Sequence, residues 1–235
     1  MEICSWNFPK VGNGPTESED AFHYNTEANR FAICDGASDS IFSGQWASVL
    51  SENFVVKSPN LTDSEELKSF LDESREIWLN KVPWKALKWN VKNKAVRGAY
   101  STFLGIQLND NSSMDCFAVG DCCLFLNRGD SFESFPLKEP KEFGVHPGLI
   151  WSGYGNPLQN KEYDAKVKIL TTNFDLSGVS DIIIATDAMS KFIMEQGISV
   201  LPEIKKNYES QSYFDELRSN GQMKNDDVSG VLISF

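Results

Sequence analysis

No apolar run in this sequence approaches the roughly 18–20 residues that would cross a bilayer. Its first residues, Met1-Glu2-Ile3-Cys4-Ser5-Trp6, lack the basic-then-apolar layout of a signal peptide. The expectation is a cytoplasmic protein without a membrane partner. Only two histidines occur, His23 and His146, and no CxxC, which excludes the usual Cys/His zinc site. The five cysteines (Cys4, Cys34, Cys116, Cys122, Cys123) form no spaced framework. An odd number of them, several in strand-like runs, reads as reduced thiols packed as small apolar residues. No repeat, low-complexity tract or Pro/Gly/Ser-rich linker divides the chain, so a single domain over 1–235 is expected.

Positive charge is also scarce. With 22 basic against 33 acidic residues the net charge is −11, and no basic stripe of the kind that binds nucleic acid runs along the chain. The one basic stretch, Lys81 to Lys94, sets Lys81, Lys85, Lys88, Lys92 and Lys94 among Trp84 and Trp89. Its simplest reading is a solvated helix face with the tryptophans turned inward. A hydrophobic content of 41% is enough for a core and argues against disorder.

What the sequence does have is carboxylates at the ends of short apolar runs. Arg30-Phe31-Ala32-Ile33-Cys34 runs into Asp35-Gly36, and Asp181 to Thr186 runs into Asp187. Glu19-Asp20 opens Ala21-Phe22-His23-Tyr24, and Asp226-Asp227 opens Val228 to Phe235. Four strand-like segments with a carboxylate at one end predict a single acidic cluster drawn from the whole chain. Oxygen-only clusters of this kind suit hard divalent cations such as Mg²⁺ and Mn²⁺.

Periodicity supplies the elements between. Residues 2–8, the Asp20 stretch and 30–34 read as strands, and 41–56 and 64–79 as helices, with a third helix starting near Trp84. Residues 98–108, 114–119 and 122–127 read as consecutive antiparallel strands, with Gly120-Asp121 as a hairpin connection. Residues 132–137 are a weaker strand, and 138–165 an irregular flap. Residues 166–171 and 181–186 return as strands, 188–196 and 211–220 as helices, and 228–235 as a last strand. Without regular βαβ alternation the order predicts an antiparallel α+β layered domain.

The segments Glu19-Asp20-Ala21-Phe22, Phe31-Ala32-Ile33-Cys34-Asp35-Gly36 and Ser101-Thr102-Phe103-Leu104 come in that order. They are followed by Ala118-Val119-Gly120-Asp121, Ile183-Ile184-Ala185-Thr186-Asp187 and Asp226-Asp227-Val228-Ser229-Gly230-Val231. In order and spacing this set resembles the metal-dependent Ser/Thr protein phosphatases of the 2C (PPM) type, over essentially the whole chain. The resemblance implies a four-layer α-β-β-α sandwich holding two Mg²⁺ or Mn²⁺ ions at one end of its central sheets. It implies that Asp35 bridges the two ions, that the Gly36 carbonyl binds one of them, and that Asp187 and Asp226 bind the other. Asp20 joins the set, Glu19 stands behind it, and Asp121 holds a third, weaker ion. The implied reaction is hydrolysis of phospho-Ser/Thr by a water bridging the two ions, on a phosphoprotein substrate made by a Ser/Thr kinase, with a monomer as the working unit.

Three departures from the pattern bear on function. The Arg expected before the Glu-Asp pair is replaced by Pro15 and its neighbours. No His follows Asp35-Gly36, and Cys122-Cys123 and Ala188 stand where Ser-Arg and Gly would be. The general acid and the substrate-binding residues are therefore unassigned. A catalytically weak or inactive phosphatase-like binding or scaffold domain is the alternative. In the flap, Phe143, Pro147, Trp151 and Tyr154 are open to two readings, a docking surface or a small satellite core.

Overall fold

The computed structural model describes residues 1–110, 112–129, 132–144, 147–153, 163 and 167–235. Three strands come first: β1 (Glu2–Phe8), β2 (Asp20–Asn25) and β3 (Arg30–Asp35). They are followed by helices α1 (Ser43–Lys57), α2 (Ser64–Lys81) and the short α3 (Trp89–Ala95). Next come β4 (Tyr100–Ser101), β5 (Phe103–Asn109), β6 (Ser113–Val119), β7 (Cys123–Asn127), β8 (Phe132–Phe135) and β9 (Ile150–Trp151). The chain closes with β10 (Leu170–Asp175), β11 (Asp181–Ala185), α4 (Asp187–Gln196), α5 (Leu201–Asn207), α6 (Gln211–Ser219) and β12 (Val228–Ser234). One sheet has the order β1-β12-β11-β7-β8 and a second the order β10-β6-β5-β3-β2, while β4 and β9 form a separate pair. Neighbouring strands are antiparallel in both large sheets.

The side-chain alternation of the strands sorts the apolar residues into three cores. Phe31 and Ile33 of β3 meet Leu124, Ile182, Ile184, Val231 and Ile233 between the two sheets. Ala32 and Cys34, on the other face of β3, pack beneath Trp46, Leu50 and Phe54 of α1 and Phe70, Leu71 and Trp78 of α2. On the far side, Ile183, Ala185 and Leu232 pack against Met189, Phe192 and Ile193 of α4, Ile204 of α5 and Phe214 of α6. The result is the expected α-β-β-α sandwich. Because each sheet is covered on both faces, β11 is buried along its whole length. That explains an unbroken Ile-Ile-Ile run where a half-exposed strand would alternate. The helix α2 starts at an Asp63 cap, whose side chain accepts from the N–H groups of Glu65 and Glu66 at 2.8 and 3.1 Å.

Four expectations are corrected. Trp84 does not start a helix: Pro83 disfavours helical geometry in the residue before it, residues 82–86 close as turns, and α3 begins at Trp89. The predicted strand over 98–108 breaks at Thr102 into β4 and β5, because Ser101 turns to bridge Gly36. The strand predicted at 166–171 lies at Leu170–Asp175, in register with β6. Gly120-Asp121 is no hairpin: β6 belongs to one sheet and β7 to the other, so these residues carry the chain across the sandwich. Gly120 makes that crossing at φ 96°, and a Cβ there would stand 2.7 Å from the Gly148 carbonyl oxygen. The helix α5 went unpredicted because Pro202 reads as a breaker, although proline is tolerated in a first turn. Among the described residues no helix is long and apolar enough to cross a membrane.

Candidate functional site

The antiparallel pairing of β2 with β3 sets Asp20 directly opposite Asp35. The second sheet supplies the matching end: β11 stops at Ala185, Thr186 and Asp187 lead into α4, and Asp226-Asp227 precede β12. Buried hydrogen bonds stitch the two ends together. Thr186 Oγ1 donates to Asp20 Oδ2 at 2.8 Å and accepts from the Ser229 N–H at 3.1 Å. Asn7 Nδ2 donates to the Asp20 carbonyl at 3.0 Å. A residue of one sheet is thus anchored on two strands of the other.

Around Asp35 the backbone is fully used. Its N–H donates to Thr102 Oγ1 at 2.9 Å, and its carbonyl accepts from the Thr102 N–H at 2.9 Å and from Ser101 Oγ at 2.8 Å. Gly36 donates to the Glu19 carbonyl at 3.1 Å. A Cβ on Gly36 would lie 2.7 Å from that oxygen and 2.6 Å from the Ser43 carbonyl carbon, so only glycine fits between β2 and the start of α1. Among the described residues no group donates a hydrogen bond to the Asp35 carboxylate. Burial, then the charges of Asp20, Asp187, Asp121 and Asp226, push its pKa well above the ordinary value.

A cleft of about 660 Å³ opens at this end, lined by Asp35, Gly36, Asp121, Asp187 and Asp226. The structure therefore brings five of the seven predicted residues onto one surface. Asp20 is buried behind it, with its pKa pushed up first by burial and then by Asp227 and Asp187. Glu19 is turned aside: Ser43 Oγ and Ser38 Oγ donate to it at 2.7 and 2.5 Å, and Lys10 lies 3.7 Å away. Burial, with Asp187 adding to it, raises Asp121 to about 6. Burial raises Asp187 as well, Asp226 adding to the rise and Lys224 opposing it.

Several residues of the site were not anticipated. Lys224 lies 2.5 Å from Asp226 and 3.5 Å from Asp187. Although burial acts against its charge, the two carboxylates hold its ammonium above its ordinary pKa. Lys191 lines the same cleft, and among the described residues no Arg or His does. Asp227 faces away and clamps the 10–19 loop, accepting from the N–H groups of Lys10 and Glu19 at 2.8 and 2.7 Å. Arg218 of α6 donates to the carbonyls of Asp226 and Phe8 at 2.9 and 3.2 Å. His23 contacts Ser51 Oγ at 2.9 Å on the helix side, away from the cleft. His146 and Tyr154 lie outside the described residues. Phe143 and Pro147 line the cleft, whereas Trp151 stacks on Tyr100 and donates to the Arg97 carbonyl at 2.8 Å, a small satellite core.

The donor set consists of carboxylate and carbonyl oxygens, which fits a hard divalent cation. The undonated Asp35 carboxylate, beside three others on the cleft wall, fits it as well. As they stand, no three His, Cys, Asp or Glu side chains converge into an ion-holding group among the described residues. At the Asp187 and Asp226 half, the Lys224 ammonium takes the place of positive charge.

No protein-family profile and no curated protein sequence matches this chain. Solved structures do. The catalytic domain of the Ser/Thr phosphatase PstP, in complex with two manganese ions, aligns with 98% of this chain and 96% of its own. Its identity to this chain is 13% and the TM-score 0.64. PstP/Ppp from Mycobacterium tuberculosis aligns over 100% and 98% at 14% identity, with a TM-score of 0.64. Stp1 from Staphylococcus aureus aligns over 100% and 96% at 14% identity, with a TM-score of 0.59. Over its whole length this chain therefore has the fold of the bacterial Ser/Thr phosphatases of the metal-dependent 2C (PPM) type.

Proposed function

We propose that this protein is a phosphoprotein phosphatase that hydrolyses phospho-Ser/Thr monoesters with the help of divalent cations, Mg²⁺ or Mn²⁺. The observation that carries the reading is the meeting of Asp35, Asp121, Asp187 and Asp226, from elements far apart in sequence, on one cleft. Asp35 and the Gly36 carbonyl would hold one cation, and Asp35, Asp187 and Asp226 a second. Asp121 would hold a third, weaker ion, with Asp20 supporting the group from behind and Glu19 in the layer beyond. Bound there, the cations would supply charge neutralisation and an acidified water.

The chain's own residues supply the rest. Thr186, Thr102 and Ser101 fix the carboxylate-bearing backbone ends before any ion arrives. Lys191 on the cleft wall would bring positive charge for a phosphate dianion that an arginine would otherwise supply, Lys224 being held by Asp226 and Asp187. No Ser/His or Cys/His nucleophile lines the cleft among the described residues, in keeping with attack by water rather than by a side chain. The substrate class implies a Ser/Thr kinase acting on the same phosphoprotein. The free cysteines suit a cytoplasmic place of action.

The test is release of phosphate from p-nitrophenyl phosphate and from a phosphothreonine peptide, with Mn²⁺ and with chelator. Mn²⁺-dependent turnover at least about a hundredfold above an Asp35→Asn/Asp187→Asn variant is expected, in line with losing the metal contribution to the transition state. Turnover no greater than that of the variant on both substrates would leave the binding-module reading standing.

A further inference from the structure

The basic stretch is only in part the solvated face with inward-turned tryptophans that its sequence pattern suggests. Trp84 does turn inward, stacking edge-on against the buried Trp78. Trp89 is 78% exposed, more than any other large hydrophobic side chain among the described residues. Val91 and the fully buried Ala95 make the inner face of α3. That leaves Trp89 and Lys92, three residues apart on α3, exposed beside Lys88, the residue that precedes the helix. Lys85, Lys94 and Arg97 are also exposed. No Asp or Glu occurs between Lys81 and Arg97. Among the described residues no carboxylate pairs with the basic residues from Lys85 to Arg97, whereas Lys81 is paired with Glu52 at 3.1 Å. A cationic patch without a carboxylate partner among the described residues, around an exposed indole on a chain of net charge −11, is a place where an anionic partner is attracted while the rest of the surface repels it.

Two observations limit what that partner is. The helix α3 has 7 residues, about 10 Å of length, and α2, which precedes it, exposes Glu65, Asp72 and Glu76. A bilayer plane or a continuous nucleic-acid backbone laid on so short a patch would extend onto the surface of a chain whose net charge is −11. A short segment would not. The patch also leads into the cleft: after Arg97 the chain forms β4, where Tyr100 and Ser101 accept from Ala37 and bridge Gly36, and Thr102 holds Asp35. The geometry points to a docking surface for a short acidic polypeptide segment, its carboxylates on Lys85, Lys88, Lys92, Lys94 and Arg97 and one apolar side chain on Trp89. A segment docked there belongs to a protein whose neighbouring residues reach the cleft rim. The binding itself does not depend on turnover in the cleft.

The test is fluorescence anisotropy with a labelled peptide of about 12 residues, mostly Asp and Glu with one Leu, titrated with full-length protein. Saturable binding at about 50 mM salt is expected, weakened at least about tenfold at 0.5 M salt, where charge attraction is screened. Lys88→Glu/Lys92→Glu should weaken it at least about tenfold and Trp89→Ala at least about threefold. Both variants lie on the exposed face and should melt with the native protein. If the cleft hydrolyses p-nitrophenyl phosphate, these variants should do so at the native rate, because that ester has no flanking segment. If it does not, the anisotropy still decides. Variants that bind the peptide within twofold of the native protein would overturn the proposal. So would phosphatidylserine vesicles or single-stranded DNA binding more tightly through the same residues. Low-salt self-association lost in the variants would replace the acidic segment with a second copy's α2 face.

Discussion

A carboxylate surrounded by carboxylates is held in the folded protein against its preference for water. Asp121 shows what this does to stability. Its folded pKa of about 6 stands above the ordinary aspartate value of about 4. It therefore contributes stability below about pH 4 that is lost as the pH rises through about 6. With chelator present, the native protein should lose on the order of 1–3 kcal/mol relative to Asp121→Asn between pH 4 and pH 7. Urea titrations at both pH values measure this, and a parallel fall in the two proteins would contradict it. At Thr186 the effect is reversed in sign. Thr186→Val removes the donor to buried Asp20 and the acceptor for Ser229 N–H, and should cost about 1–3 kcal/mol by the same measurement at pH 7.

Among the elements, the connections are where local pattern and structure part company. Strand and helix bodies were legible because each sheet face and helix stripe buries a periodic apolar set. The run from Ile182 to Ile184 and the Trp46, Leu50, Phe54 stripe are examples. Gly120-Asp121 looks like a hairpin because a glycine with positive φ serves a crossover as well as a turn. The placement of β6 in one sheet and β7 in the other tells them apart. At this crossing Gly120→Ala should do more than lose a turn preference. It should destabilise the fold by on the order of 2 kcal/mol or more, since it combines an unfavourable φ with a backbone collision. Thermal melting checks this, and a change below about 0.5 kcal/mol would contradict it. The carboxylates at strand ends were legible as well, since an acidic residue closing an apolar run is conspicuous. Lys224 and Lys191 were not, because a lysine in a loop or on a helix carries no local mark of the cleft it faces. Trp89 was misread for a related reason: its alternation with lysines fits an inward or an outward indole equally.

At the scale of the whole molecule, the site exists only because two sheets from both halves of the chain end at the same place. Neither sheet has the full donor set: Asp35 and Asp20 come with one, Asp187 and Asp226 with the other, and Asp121 lies on the crossing between them. Cation binding would then tie the layers together and stabilise the fold as a unit. The most direct check is calorimetric titration of the metal-free protein with Mn²⁺, beside Asp35→Asn. Saturable binding by the native protein, weakened at least about tenfold in the variant and accompanied by a rise in melting temperature, is the predicted result. Equal heats and unchanged melting in both proteins would contradict a cation site built from these carboxylates.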